Sequence, residues 1–158
     1  MTARAVRAVL TALVAVSACG PAAAPSAPAA PAAVSAASFV APVPRPPDKI
    51  VQLNAPGAAV DVAGALPAGY VTVVDFWSPS CEACGPLGQR LETGVADEPH
   101  VVIRKVDVGD GDTPVAAAYH IAALPHFFIY DKQKRLRYDL VGPDCFDAAR
   151  YARQLAAE

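Results

Sequence analysis

Residues 70–76, Tyr-Val-Thr-Val-Val-Asp-Phe, form a nearly continuous apolar and β-branched run. A strand with one solvated face alternates apolar and polar residues. A run without that alternation suits a strand buried on both faces of a parallel sheet. Such a strand needs helices above and below it, which points to an α/β architecture. The sequence from residue 48 onward supplies the other pieces. Lys49–Leu53 and Val101–Val108 read as strands, and His126–Tyr130 with Leu136–Val141 as a hairpin around the polar turn Asp131-Lys132-Gln133-Lys134. Helices are expected over Asp61–Leu66, Pro86–Asp97 and Pro114–Tyr119, and a last one after Asp144. In 86–97, Leu87, Leu91 and Val95 recur at spacings of four on one face. Pro86 suits a first turn, while Gly88 and Gly94 weaken the helix by propensity. Thr113 and Asp144 are expected as N-caps, with Asp147 in the first turn of the last helix and Ala148, Tyr151, Ala152 and Leu155 facing inward. The resulting order is β-α-β-α-β-β-α, with helical crossovers first and an antiparallel hairpin and closing helix last.

The chain has 158 residues and a formal net charge of −2. That is long enough for one domain with a real core and gives no electrostatic reason to expect nucleic acid as a partner. Its N-terminus reads as a targeting segment. Arg4 and Arg7 precede an uncharged, largely apolar run, Ala8–Val16, too short to span a bilayer as a mature helix. The run ends in Val16-Ser17-Ala18-Cys19, which resembles a bacterial lipobox. That resemblance implies a lipoprotein signal peptide over residues 1–18 and lipidation of Cys19; the alternative is an ordinary secretory signal cut near Ala18. Two acyl chains would hold the protein stably on a membrane. Gly20, rather than an aspartate, follows the cysteine, which by resemblance to enteric lipoproteins favours the outer over the inner membrane, facing the periplasm. Residues 19–47 are almost wholly Ala, Pro, Ser and Val and hold half of the 16 prolines. Proline biases such a segment toward an extended spacer and against a helical rod. The folded domain is expected over residues 48–158.

Of the four cysteines, Cys81 and Cys84 stand three apart, just after the long apolar strand and just before a helix. A Cys-x-x-Cys pair by itself can be half a zinc site, a static disulfide or a redox dithiol. A static crosslink closing so small a loop stabilises little. At a helix start, the unpaired N–H groups and the helix dipole favour a negative sulfur on the first cysteine. The second can then resolve a mixed disulfide formed on the first.

The surrounding residues sharpen this. Val74-Asp75-Phe76-Trp77 leads into the cysteines, Lys105 lies on the next strand, Leu124-Pro125 precedes the hairpin and Gly142 follows the last strand. This ordered set resembles the thioredoxin family over about Val60–Leu155. The resemblance implies a thioredoxin-like three-layer sandwich with a central mixed β-sheet flanked by helices. It implies thiol–disulfide exchange on protein thiols and disulfides, with Cys81 as nucleophile and Cys84 as resolver. Asp75, helped by Lys105, would move the proton at Cys84. Trp77, Leu124, a cis Pro125 and Gly142 would form the substrate-binding surface. No cofactor beyond the redox-active disulfide Cys81–Cys84 is implied, and no metal, since a cis Pro125 would occupy the space before the cysteines. The expected partners are protein substrates and an electron donor, the expected state a monomer. Asp75 at a strand end reaching solvent, and Trp77 as plain core filling, are the alternatives for those two residues.

The sequence departs from thioredoxin between the cysteines, where Glu82-Ala83 replaces Gly-Pro, and at Gly85, where that protein has a lysine. Loss of the proline argues for a more oxidising dithiol, whereas Glu82 disfavours the Cys81 thiolate and argues the other way. His126, after Pro125, is expected to point away along its strand, and Cys145 to be a small buried residue rather than a second redox thiol. The competing function is a copper- or metal-handling module on the same scaffold, using Cys81, Cys84 and His126.

Overall fold

The computed structural model describes residues 45–158. The expected signal peptide at 1–18, Cys19 and nearly all of the tether lie outside the described residues. The strands are β1 (Ile50–Gln52), β2 (Val71–Trp77), β3 (Val101–Asp107), β4 (His126–Tyr130) and β5 (Leu136–Val141). The helices are α1 (Cys84–Gly94), α2 (Pro114–Tyr119) and α3 (Ala148–Ala156). A 3-10 segment, Gly142–Asp147, leads into α3.

The strands make one mixed sheet in the order β1-β3-β2-β4-β5. β1 and β2 both run parallel to β3; β4 is antiparallel to β2 and β5 to β4. Central β2 is buried along its length except at Trp77, as its unbroken apolar character requires. On one face, Val71, Val73, Ile103, Phe127 and Ile129 pack under Leu91 and Val95 of the α1 segment and Ala152 and Leu155 of α3. On the other, Val74, Phe76, Val106 and Phe128 pack with Val62, Leu66 and Val115. Two apolar layers on opposite faces of one sheet give the expected three-layer α/β sandwich.

Three local expectations change. Residues 61–66 form turns rather than a helix. The Asp61 carboxylate accepts the Gly64 N–H at 3.1 Å, an Asx-type turn that competes with helical bonding. The Ala65 carbonyl is taken by Arg104 Nε at 3.3 Å, while Val62 and Leu66 still reach the core. Helix α1 begins two residues earlier than expected and stops at Gly94. A Cβ on Gly94 would lie 2.6 Å from Ala149 Cβ, so α1 and α3 meet where glycine permits it. At the last helix Asp144 caps nothing: the chain first winds as a 3-10 segment, and Asp147, at the α3 N-terminus, directs its carboxylate to Arg150 Nε at 3.3 Å. Thr113 does cap α2, accepting the Ala116 N–H at 3.3 Å. In α3, Ala148, Ala152 and Leu155 are buried, and Tyr151 is half-buried, stacked on Tyr138.

Candidate functional site

The chain leaves β2 at Trp77 and enters α1 through two tight turns. Pro79 follows Ser78, and the Cys81 N–H donates to the Ser78 carbonyl at 3.1 Å, the arrangement in which proline at the second turn position presets the backbone. The Ser78 and Ser80 hydroxyls are 2.6 Å apart, and the Ser80 hydroxyl donates to the Asp110 carboxylate. Next, the Cys84 N–H donates to the Cys81 carbonyl at 3.1 Å. Cys81 therefore precedes α1, and Cys84 is its first residue rather than lying a turn inside it.

Cys81 and Cys84 are joined by a disulfide, with their Cα atoms 5.4 Å apart. The two sulfurs differ in access: Cys81 is half-exposed and Cys84 is buried at 3% exposure. Glu82 and Ala83 between them are exposed. A partner thiol can thus approach Cys81 and not Cys84.

Asp75 lies under the start of α1. It is 1% exposed, its Oδ2 is 3.3 Å from Lys105 Nζ, and its Oδ1 has no hydrogen-bond partner. Burial pushes its carboxyl up to about 6, against the pull of Lys105 in the other direction. Parallel pairing of Asp75 with Lys105 puts both side chains on one face of the sheet. Burial lowers the Lys105 ammonium's pKa, but Asp75 and Glu92 outweigh it and the net direction is up. Glu92 Oε1 lies 3.0 Å from Lys105 Nζ, completing a three-charge chain that sequence reasoning missed. Its only sequence trace is its spacing: Cys84, Gly88 and Glu92 recur every four residues along α1.

Gly88 was read only as a weak helix former, and the packing gives it a different meaning. A Cβ there would lie 3.3 Å from Asp75 Oδ2 and 3.5 Å from Lys105 Nζ. The helix therefore rests on the carboxylate–ammonium pair through a residue with no side chain. Because Cys84 precedes Gly88 by one turn on the same face, the Asp75 carboxylate sits about one helical turn from the buried cysteine, a span one water can bridge. Gly88→Val is expected to destabilise the fold by about 2 kcal/mol, since the branched side chain must displace Asp75 or lift α1. Denaturant unfolding with an unchanged slope would measure it.

The remaining expected residues group at the same end of the sheet. Trp77 is half-buried, its Nε1 donates to Gln52 Oε1 at 3.3 Å, and Lys105 Nζ lies 5.5 Å from its ring centroid. The antiparallel register pairs Phe76 with His126, which brings Pro125 to the end of β2 beside Trp77. The Leu124–Pro125 peptide is cis. The Leu124 side chain packs on the second core, so any contact it makes with a peptide is through its backbone. Gly142 has φ of +56°, a conformation that favours glycine, and its N–H donates to the Pro125 carbonyl at 2.9 Å. Cys145 is buried, and its thiol lies 3.3 Å from the Leu140 carbonyl and 3.5 Å from that of Pro125. Burial pushes its pKa up to about 12, which removes it as a second redox thiol. His126 does not join the site. It faces the layer opposite to Asp75, edge-on to Phe128, with Nε2 against Asp139 Oδ1. Among the described residues no group of three or more His, Cys, Asp and Glu side chains is placed to hold a metal ion.

This geometry can be set beside known proteins. The family model described as Thioredoxin matches residues 66–149, more than half of the chain. Over 74 residues the chain is 31% identical to a thioredoxin of Chlamydia trachomatis, covering 47% of this chain and 71% of that protein. Over 60 residues it is 33% identical to a thioredoxin of Mycoplasma pneumoniae, covering 38% of this chain and 58% of that protein. It thus spans less than two thirds of the Mycoplasma relative's length. Among solved structures, the thioredoxin of Malassezia sympodialis superposes with a TM-score of 0.51 at 26% identity, over 72% of this chain and 95% of that one. With the sheet order, the disulfide at the head of α1 and the family model in agreement, the chain belongs to the thioredoxin family.

Proposed function

We propose that the protein is a thiol–disulfide oxidoreductase that exchanges its Cys81–Cys84 disulfide with cysteines of protein substrates. The observation that carries this reading is the unequal access of the two sulfurs over a buried carboxylate: half-exposed Cys81, buried Cys84, and Asp75 one turn away with a pKa raised to about 6. In the reducing half-reaction the Cys81 thiolate attacks a substrate disulfide, forming one S–S bond and releasing one substrate thiolate. Cys84 loses its proton to Asp75, attacks Cys81 and expels the second substrate thiolate. Trp77, the Leu124 backbone, Pro125 and Gly142 are assigned to holding the substrate strand. An electron-donor partner must return two electrons to the disulfide after each turn.

The reducing direction is favoured by Glu82. An exposed carboxylate next to Cys81 disfavours the thiolate, and a less stable reduced form is a stronger reductant. Gly85 adds no positive charge to offset it. The place of work is outside the cytoplasm, with the protein a monomer held by lipid on Cys19, more readily at the outer than the inner membrane. This rests on the sequence alone: the arginine-flanked apolar run, Ala18-Cys19 and the proline-rich spacer. Among the described residues no helix is long and apolar enough to cross a membrane.

The test is catalysed reduction of insulin by dithiothreitol, compared with Cys81→Ser. Wild type is expected to shorten the lag before insulin precipitates and Cys81→Ser to match the uncatalysed control. Equal behaviour of the two would sink the reading. Labelling with radioactive palmitate, lost in Cys19→Ala, checks the anchor separately.

A further inference from the structure

A groove of about 630 Å³ runs between α1 and α3, away from the disulfide-bearing turn. Three arginines line it, Arg90, Arg150 and Arg153, against a single carboxylate, Asp147. This is a positive concavity on a chain whose formal net charge is −2. Beside it stands Phe146, 55% exposed, with the Arg90 guanidinium 3.6 Å above its ring and Arg90 Nε donating to its carbonyl at 3.2 Å. The other two arginines are held in place but not saturated. Arg150 Nε meets Asp147 Oδ1 at 3.3 Å, and Arg153 Nη1 donates to the Gly94 carbonyl at 3.1 Å. Each leaves further N–H donors of a planar fork facing solvent, the geometry that takes a carboxylate on two bonds.

We propose that this groove docks an acidic segment of a protein partner, with carboxylates on Arg150 and Arg153 and an apolar side chain against Phe146. Exposed arginine and aromatic side chains in a shared concavity are the pieces from which interface anchors are built. Charge complementarity selects the occupant. The chain's own N-terminal segment is excluded as the natural ligand, because no Asp or Glu occurs before Asp48. Pro86 lines the groove and also lies in the first turn of α1, two residues after Cys84. A segment lying in the groove therefore has one end beside the dithiol. The identification of that partner as one that exchanges disulfides rests on the function proposed above; the docking itself does not.

The experiment uses the full chain and two short fluorescent peptides. One is rich in Asp and Glu with a single Phe, and the other has Lys in place of every acid. Anisotropy titrations compare wild type with the Arg150→Glu, Arg153→Glu double variant. The acidic peptide is expected to bind wild type at least about tenfold more tightly than the Lys peptide, and to lose about tenfold in the double variant and on raising the salt. The milder Arg150→Gln, Arg153→Gln pair serves if the charge reversal disturbs folding, which circular dichroism reports. Equal affinity for the two peptides, or equal binding by the variants, overturns the proposal. So does stronger binding to phosphatidylglycerol vesicles than to the acidic peptide, which would make the occupant a membrane. A dimer in light scattering that the double variant breaks would make it a second copy, and overturns the proposal too. A second arm uses the same peptides as mixed disulfides. KM for the acidic one is expected to rise about tenfold in the double variant, with kcat and the rate on a small neutral disulfide unchanged. Binding without exchange would uphold the groove and sink the enzymatic reading. Exchange without charge preference would do the reverse.

Discussion

Cys84→Ser is expected to abolish turnover and leave the substrate joined to the protein through Cys81. The half-exposed Cys81 can still attack a substrate disulfide. The serine hydroxyl, with a pKa far above that of a thiol, cannot then expel the substrate. Exchange stops at the mixed disulfide, and catalysed insulin reduction falls by roughly a thousandfold or more, to the background rate. The adduct should appear on non-reducing gels as a ladder of higher bands that collapses with reductant. Cys81→Ser should give no such ladder, because the remaining Cys84 is 3% exposed. If both single variants trap partners equally, the two sulfurs are equally accessible and the assignment of nucleophile and resolver fails.

Asp75→Asn should make the protein more stable above neutral pH and slower in exchange. The native carboxyl is raised from 3.8 to about 6 by burial, so its proton is held more tightly in the folded chain than in the unfolded one. Between those two values the unfolded chain has already released the proton and the native chain has not. Stability is therefore lost as pH rises through this window and stays lower above it. The full difference is about 3 kcal/mol. Lys105 loses one partner in the variant but keeps Glu92 at 3.0 Å, so a net gain of about 2 kcal/mol at pH 8 is the expected reading. Below pH 4 wild type and variant should unfold at nearly the same denaturant concentration. The rate of resolution should fall by roughly a hundredfold near neutral pH, with the wild-type inflection near 6 missing from its pH profile. A variant less stable than wild type at pH 8 would show that the ion pair with Lys105 outweighs the burial of the carboxylate.

Much of this site was legible before any coordinates, because its parts are tied to local chemistry. An unbroken apolar strand must be central, a Cys-x-x-Cys before a helix presents one sulfur outward, and Asp75 stands out as a charge inside that strand. The same locality explains what sequence reading got wrong in the fold. Asp61 and Asp144 each suit a helix start by composition. The first closes a turn on Gly64, and the second sits in a 3-10 segment shaped by Gly142 and by the burial of Cys145.

The residues that sequence reading missed act only through space. Gly88 is a propensity defect in one dimension and the contact point between α1 and the Asp75–Lys105 pair in three. Glu92 is an ordinary helix glutamate until β3 brings Lys105 beneath it. His126 follows Pro125 directly, yet strand alternation sends it to the opposite layer, to Phe128 and Asp139. Arg90, Arg150 and Arg153 are scattered over two helices and become one groove only where Gly94 lets α3 approach α1. The sequence by itself determined the class of fold and the identity of the two reactive sulfurs, since periodicity and spacing are properties of neighbouring residues. Tertiary structure alone decided which charges surround Asp75, which face each conspicuous side chain takes and where a partner can dock, because these depend on residues that only the packing of helices on the sheet brings together.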